Sequence, residues 1–157
     1  MMRRAMVGCV LLAAVALMAG CTPYGAGSAE DPNVGGVPLM GPLEGTTWSL
    51  VELGGRPARA AGDDGTPSLR LDAAQKRASG NTGCNSYGGG YELSGSSLRF
   101  GALASTRRAC VDEALNQQEA TFLRALADTR TWSIVSGTLV LDGESGAVAR
   151  FTAQPAR

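Results

Sequence analysis

The residues of this sequence that could carry out chemistry are concentrated in the stretch GNTGCNSYGGGY, residues 80–91, which holds five glycines, two asparagines and one cysteine. Glycine-rich loops can cradle phosphates, and an activated cysteine is a nucleophile. A phosphate loop needs a lysine after its glycines, whereas Lys76, the only lysine of the chain, precedes them. A dinucleotide loop needs a βαβ unit, which the sequence lacks. The chain also has no histidine that could activate Cys84, complete a Ser-His-Asp triad or bind zinc.

We therefore interpret the stretch as scaffold. Gly80 and Gly83 are expected to supply backbone angles that other residues avoid, and Asn81 and Asn85 to turn the chain through side-chain hydrogen bonds. The glycines at 88–90 are expected to restart the following strand.

Carboxylates are the remaining groups with catalytic potential. A carboxylate-dependent hydrolase would need acids with raised pKa values that converge in a cleft, and Glu92, Glu119 and Asp112 are the candidates. Glu119 lies beside the apolar stripe of a predicted helix, so we favour a structural role for it, as an acceptor for backbone or hydroxyl groups such as that of Thr106. We expect no catalytic residue, no cofactor and no metal, and we predict that the protein is not an enzyme.

The elements that would position these residues are mostly strands. Large apolar residues alternate with others in several short segments, which is typical of strands with one covered face. Glycine, aspartate and serine clusters separate the segments, as expected for antiparallel hairpins. The segments are Trp48–Val51, Leu69–Asp72, Leu98–Phe100, Trp132–Ile134 and Leu139–Asp142.

One segment, at about residues 112–127, has helical spacing instead and contains no glycine or proline. Leu115, Phe122 and Leu126 lie on one stripe, together with Leu123. Asp112 can cap the first turn. The pattern predicts one amphipathic helix whose apolar face covers the sheet.

The N-terminus has the three parts of a secretory signal peptide, at residues 1–20: a basic start, an apolar run and an end of small residues. The apolar run, of about 15 residues, is shorter than the roughly 20 that span a bilayer as a helix. Leu17–Cys21 resembles the lipobox of bacterial lipoproteins, in which the cysteine thiol is acylated and becomes the new first residue. Acyl chains such as palmitate on Cys21 would anchor the protein to a membrane. The alternative is ordinary cleavage that leaves Cys21 a free thiol.

The predicted anchor is followed by a segment rich in glycine, proline and small polar residues, so we assign residues 21–42 to the lipidated cysteine and a flexible linker. Such a linker reaches roughly 25 Å as a random coil. The sequence predicts a lipid-anchored protein of the bacterial cell envelope. If the cell has two membranes, Thr22 favours the outer membrane, facing the periplasm.

Residues 43–157 have the size of one domain. Without Arg3 and Arg4, the mature chain carries 12 basic (14 − 2) and 14 acidic residues, and no basic block that would indicate nucleic acid. We expect a monomer that binds no nucleic acid. If Cys21 is lipidated, Cys84 and Cys110 remain as an even pair in an oxidising compartment and are expected to form a disulfide.

Four motifs in order along this domain resemble those of the META domain, also called the HslJ-like family. They are LEGTTWSL at 43–50, SGNTGCNSY at 79–87, LASTRRAC at 103–110 and EATFL at 119–123. This chain has Arg108 where the family often has methionine or another apolar residue. The resemblance implies an α+β fold, mostly β: an antiparallel, partly open barrel with one packed helix. It also implies structural roles for Gly80, Gly83, Asn85, Thr106 and Glu119, the pairing of the two cysteines, and a link to heat shock, and it carries over no catalytic residue.

Three functions remain open at this point. The first is non-enzymatic binding of an envelope protein, a lipid or a cell-wall component during stress, which predicts an exposed apolar patch or cleft, expected between helix and sheet. The second is inhibition of a lytic or proteolytic enzyme through a rigid protruding loop, at Arg56–Gly65 or Thr106–Asp112, with Arg107 and Arg108 as anchors. The third is the hydrolase.

Overall fold

The computed structural model describes residues 41–62, 65–108, 110 and 112–155, with the side chain of Ala147 left aside. The predicted signal peptide, the lipid-attachment residue Cys21 and the linker up to residue 40 lie outside the described residues. Within the described residues, no helix is long and apolar enough to cross a membrane.

The described chain forms ten strands and one helix. The strands are β1 Thr47–Leu53, β2 Arg56–Pro57, β3 Ser68–Asp72, β4 Arg77–Asn81, β5 Ser86–Ser94, β6 Ser97–Phe100, β7 Ala104–Ser105, β8 Thr131–Val135, β9 Thr138–Gly143 and β10 Gly146–Ala153, and the helix is α1 Glu113–Asp128. Each of the five alternating segments lies within one strand, so those strand predictions are confirmed. The alternation did not predict β4, β5 or β10.

All strand pairs are antiparallel, and their order is β10-β9-β8-β6-β5-β4-β3-β1-β2. β10 also pairs with β1, so the hydrogen bonding runs in a ring. The ring is uneven, because β6 and β8 share only the pair Ser97 and Thr131. The predicted mostly β fold, with a partly open barrel and one helix, is confirmed.

Helix α1 begins where the sequence predicts. The Asp112 carboxylate accepts the Ala114 N–H at 2.8 Å, so it serves as the N-cap, and Glu113 adds negative charge to the first turn. Leu115, Phe122, Ala125 and Leu126 form its buried face, as 3.6-residue spacing requires.

The core lies between this helical face and the inner face of the ring. Trp48, Phe122 and Phe151 are fully buried there, and the Phe122 ring contacts both Tyr87 and Phe151, with centroids 5.7 and 6.1 Å apart. The indole N–H of Trp48 donates to the Leu43 carbonyl at 3.0 Å, which satisfies a buried donor. The aromatic contacts join the helix to strands from both halves of the sequence.

Two expectations about the glycines are wrong. Residues 88–90 do not precede a strand but lie inside β5, which begins at Ser86. Gly80 lies in regular β4, where a Cβ atom would overlap the backbone of Ser68 on the neighbouring strand β3. Close packing of strands, rather than an unusual backbone angle, therefore requires glycine at position 80.

Candidate binding groove

The glycine-rich stretch folds into a tight turn, Thr82–Asn85, between β4 and β5. The Thr82 N–H donates to the Asn85 carbonyl at 2.8 Å, which closes the turn. Gly83 has a φ of +117°, a conformation that side chains disfavour, and its N–H donates to the Asn81 side chain. The turn holds Cys84 and Asn85 side by side, Asn85 buried and Cys84 half-buried.

The side chain of Asn85 connects the parts of this site through four hydrogen bonds. Its side chain is 2% exposed, and its amide nitrogen donates to the Arg108 carbonyl at 2.9 Å and to Glu119 Oε2 at 2.8 Å. Its amide oxygen accepts from the Thr106 hydroxyl at 2.8 Å and from the Arg108 N–H at 2.9 Å. The amide therefore uses both donors and both acceptor positions, and it joins the turn to the segment before α1 and to α1 itself. The sequence indicated a turn residue at this position, but nothing local to it predicted this connecting role.

Glu119 reaches the turn from α1. Its Oε2 accepts from the Thr82 hydroxyl as well as from Asn85, both at 2.8 Å, and the Thr82 hydroxyl in turn accepts the Asn85 N–H at 3.2 Å. The hydroxyl donor is thus Thr82 and not Thr106, which was the example predicted. Thr106 donates to Asn85 instead.

The Cys84–Cys110 disulfide is present, with Cα atoms 5.9 Å apart, and confirms the predicted pairing. Both cysteines are half-buried. The sulfur atoms and a carboxylate oxygen of Glu119 lie within 4.8 Å of one another. The disulfide therefore lies where the glycine-rich turn, the segment before α1 and α1 itself meet, beside Asn85.

Two polar residues of α1 close to Glu119 hydrogen-bond the backbone of two further segments. The Gln118 amide accepts the Arg59 N–H and donates to the Arg59 carbonyl, both at 2.8 Å. The Asn116 amide accepts the Cys110 N–H at 3.0 Å and donates to the Cys110 carbonyl at 3.4 Å. Three side chains of one helix, those of Asn116, Gln118 and Glu119, thus each hold a different loop.

These loops border an open groove of about 550 Å³, the disulfide groove. The residues that line it are Ala60, Ala61, Gly62, Gly83, Cys84, Arg108, Cys110, Asp112 and Leu115. Alanine, glycine, leucine and the disulfide make most of the wall apolar, while Arg108 and Asp112 bring opposite charges. Asp112 also lies 3.9 Å from the Arg59 guanidinium. The groove can hold a small apolar group beside a charged or polar one.

Both loops named as inhibitor candidates contribute to the groove, through residues 60–62 and through Arg108 and Cys110. Arg107 and Arg108 are exposed. The groove differs from the predicted cleft between helix and sheet, because it lies between loops at the N-terminal end of the helix and no strand residue that the structure describes lines it.

The three candidate acids have separate roles. Glu92 is exposed on β5, opposite Arg99 of β6. Asp112 caps α1 at the edge of the groove, and Glu119 is half-buried beneath the glycine-rich turn.

A second polar cluster, formed by Glu44, Lys76 and Tyr91, lies elsewhere on the domain. The Tyr91 hydroxyl and the Lys76 ammonium both donate to Glu44 Oε1, and the ammonium lies 5.6 Å from the centre of the Tyr91 ring. The hydrogen bond from Tyr91, and then that from Lys76, lowers the pKa of the Glu44 carboxyl below its ordinary value of 4.5. Burial, followed by the hydrogen bond to Glu44, raises the pKa of Tyr91. Sequence reasoning missed the cluster because its members are 32 or more positions from Glu44.

Residues 41–156 match the model of the META domain. The fold is similar to an NMR structure of a protein from Burkholderia xenovorans, at 28% identity and a TM-score of 0.60, over 73% of this chain and 85% of that one. A second NMR structure matches at 23% identity and a TM-score of 0.56, over 69% of this chain and 90% of that one. Among curated proteins, none matches the sequence.

Proposed function

Because this chain belongs to the META domain family, which matches it over residues 41–156, we propose that it is a cell-envelope lipoprotein whose META domain binds a partner and catalyses no reaction. The disulfide groove is the proposed binding site. The signal peptide and lipobox pattern of residues 1–21 supports the envelope location, with Cys21 as the membrane anchor. The linker up to residue 42 would give the domain reach from the membrane.

The observation that carries this proposal is the preformed groove. Its walls are fixed by the disulfide, by the amide of Gln118 on Arg59, and by Asn85 on Arg108. A site that is rigid before binding loses little conformational entropy when a ligand enters. An apolar wall with a few charged groups at its edge is the usual form of a ligand site.

The wall chemistry indicates the partner. The small residues at 60–62 leave room for an apolar side chain, and the exposed guanidinium of Arg108 can pair with a carboxylate. An extended peptide with an apolar residue next to an acidic group or a free C-terminus has this chemistry. Envelope proteins and the peptide stems of the cell wall both present such groups. In this proposal, binding takes place under heat or envelope stress.

Site-specific photocrosslinking in intact stressed cells tests the proposal. A photoreactive amino acid at position 61, which lines the groove, places the probe there and keeps Arg108 for pairing with the partner. The matched control position is Ala127, an exposed alanine of α1 that does not line the groove. We expect a discrete adduct from position 61 and none from position 127.

A blocking variant makes the test specific to the groove. Ala60 is exposed and lines the groove, so Ala60→Trp should fill it without unfolding the domain, and the adduct should disappear. Equal adducts at both positions, or an adduct that persists in Ala60→Trp, would contradict binding in the groove. Retention of the Cys21→Ser variant in the membrane fraction would contradict the lipid anchor.

Inhibition of a lytic or proteolytic enzyme is the second candidate, favoured by the exposure of Arg107 and Arg108 on a segment held by Asn85 and by the disulfide. A rigid loop with two cationic side chains could occupy the active site of an enzyme. If the crosslinked partner is such an enzyme, Arg107→Ala together with Arg108→Ala should abolish inhibition in a purified assay. Inhibition that survives the double substitution would exclude this mode.

A further inference from the structure

The disulfide and Glu119 bring together three side chains that can bind a metal ion once the two cysteines are reduced to thiolates. Atoms Sγ of Cys84, Sγ of Cys110 and a carboxylate oxygen of Glu119 lie within 4.8 Å of one another, and all three residues are half-buried. We infer that reduction of the disulfide converts this junction into a binding site for a divalent cation that prefers thiolate ligands, namely Zn²⁺. We call these three residues the thiol site.

The chemistry balances with a dithiol as the reductant. The dithiol gives two electrons and two protons to the S–S bond, which breaks into two thiols, while the dithiol closes to its own disulfide. Zn²⁺ then displaces the two thiol protons into solvent and binds both thiolates. The two thiolates and the Glu119 carboxylate supply three negative charges against the two of the metal ion, and a water completes a tetrahedral site.

The distances suit zinc once the S–S bond is broken. With Zn–S bonds of about 2.3 Å and Zn–O bonds of about 2.1 Å, tetrahedral ligand atoms lie roughly 3.5 to 3.8 Å apart. The three ligand atoms are already within 4.8 Å of one another, so the sulfur atoms need only separate by side-chain rotation while the carboxylate approaches. The Cα separation of 5.9 Å allows this without moving the backbone.

The loops that carry the cysteines have anchors that do not depend on the disulfide. Cys110 is held through its N–H and its carbonyl by the Asn116 amide, and Cys84 lies in the turn closed by Thr82 and Asn85. Asn85 also binds the backbone of Arg108, two residues before Cys110. The two thiols should therefore stay close together after reduction.

Glu119 is oriented as metal-ligating carboxylates are, by hydrogen bonds from neighbouring groups. The donors from Thr82 and Asn85 both bind Oε2, and among the described residues this leaves Oε1 for the metal. The groove beside the cysteines gives the ion a path from solvent, because Cys84 and Cys110 are part of its lining. Metal binding of this kind does not depend on the proposed partner binding, since it concerns the reduced protein alone.

Cobalt and zinc titrations of the reduced protein test the inference. The chain from residue 22 onward, which keeps only the two cysteines of the thiol site, is reduced anaerobically with dithiothreitol, freed of it by gel filtration, and titrated with Co²⁺ as a spectroscopic probe for Zn²⁺. We expect one equivalent to bind with thiolate-to-cobalt charge-transfer bands and the visible bands of a tetrahedral ion. Zn²⁺ should displace the cobalt, and the oxidised protein should give neither set of bands.

Variants separate a built site from a pair of free thiols. Glu119→Gln keeps an oxygen that can accept from Thr82 and Asn85 but loses the anionic ligand, so the affinity for Zn²⁺ should fall roughly tenfold to a hundredfold. Glu92→Gln is the matched control, since it removes an exposed carboxylate of β5 that takes no part in the thiol site, and it should leave the affinity unchanged. Cys84→Ser should abolish the charge-transfer bands.

Near-ultraviolet circular dichroism during the titration covers the case in which reduction unfolds the domain. If Zn²⁺ restores the native spectrum in the wild type and does so less well in Glu119→Gln, the inference stands. Binding without recovery of the native spectrum, equal affinity in Glu119→Gln and wild type, or the absence of thiolate-to-cobalt bands would each overturn it.

Discussion

At the scale of the residue, the half-buried carboxylate of Glu119 contributes to stability through its hydrogen bonds to buried groups. It is the shared acceptor for the buried Asn85 amide and the buried Thr82 hydroxyl. A buried donor that loses its partner costs about 1–3 kcal/mol, which exceeds the net contribution of an ordinary hydrogen bond. The carboxylate of Glu119 therefore stabilises the glycine-rich turn.

Glu119→Ala should lower the free energy of unfolding by about 1–3 kcal/mol, because it leaves one N–H of the buried Asn85 amide unpaired, whereas the Thr82 hydroxyl can still donate to the Asn85 carbonyl 3.1 Å away. Urea denaturation of the oxidised domain measures this. Gln117→Ala, at an exposed position of the same helix where only the backbone carbonyl accepts a side-chain hydrogen bond, should change the value by less than about 0.5 kcal/mol. Equal effects of the two substitutions would show that Glu119 has no special structural role.

Glu44 should make stability depend on pH in the acidic range. Its pKa is lowered in the folded state, so its contribution is present above the unfolded value of 4.5 and is lost as the pH falls through the lower folded value. The difference in unfolding free energy between the wild type and Glu44→Gln should thus be constant near neutral pH and shrink below a pH of about 4.5. Denaturation curves over this range test the sign.

Tyr91→Phe serves as the control for that experiment, because it removes the hydrogen bond that contributes most to lowering the pKa of Glu44. The acid-dependent loss of stability should be smaller in Tyr91→Phe than in the wild type. A loss of unchanged size would point to other carboxylates.

At the scale of the element, helix α1 both covers the core and holds the loops. Its apolar face was readable from the sequence, because leucine and phenylalanine at helical spacing are typical of a helix with one buried face. The structural role of Glu119 was predicted, but its partners Thr82 and Asn85 were not, because they lie 37 and 34 positions away. The pairing of Gln118 with Arg59, 59 positions away, was missed for the same reason. Likewise, the start of β5 was missed because three successive glycines do not alternate with large apolar residues, although the strand packs closely against its neighbours there.

The cap of this helix gives a prediction at the same scale. Asp112→Ala removes the acceptor for the Ala114 N–H and should cost about 1 kcal/mol. Asp112→Asn keeps an oxygen at the cap and should lower the free energy of unfolding by only a few tenths of a kcal/mol. Thermal unfolding of the two variants distinguishes loss of the cap from loss of the ion pair with Arg59, because both substitutions remove the charge.

At the scale of the whole molecule, the core connects the two ends of the domain. Strand β1 pairs with β10, and Trp48 of β1 and Phe151 of β10 are both fully buried. The mostly β class, the one helix and the disulfide followed from local patterns and cysteine pairing. The closure of the ring did not, because it depends on β10, whose small and charged residues show weak alternation.

Phe122→Ala should be among the most damaging core substitutions, at about 3–5 kcal/mol, because the ring is fully buried and contacts both Tyr87 and Phe151. Val135→Ala is the control, since that side chain is 61% exposed, and should change stability by less than about 0.5 kcal/mol. A single cooperative transition in both variants would show that the ring and the helix unfold together.

The loops are held by residues other than those that face the groove, and this separation makes the domain suited to protein engineering. The residues that hold the loops, Asn116, Gln118 and Glu119, are not those that face the groove, whereas Ala60, Ala61 and Arg108 face it through side chains that the anchors do not use. A library that randomises only these three positions should yield folded proteins with new binding specificities. The lining of the groove can therefore diverge while the framework beneath it stays the same.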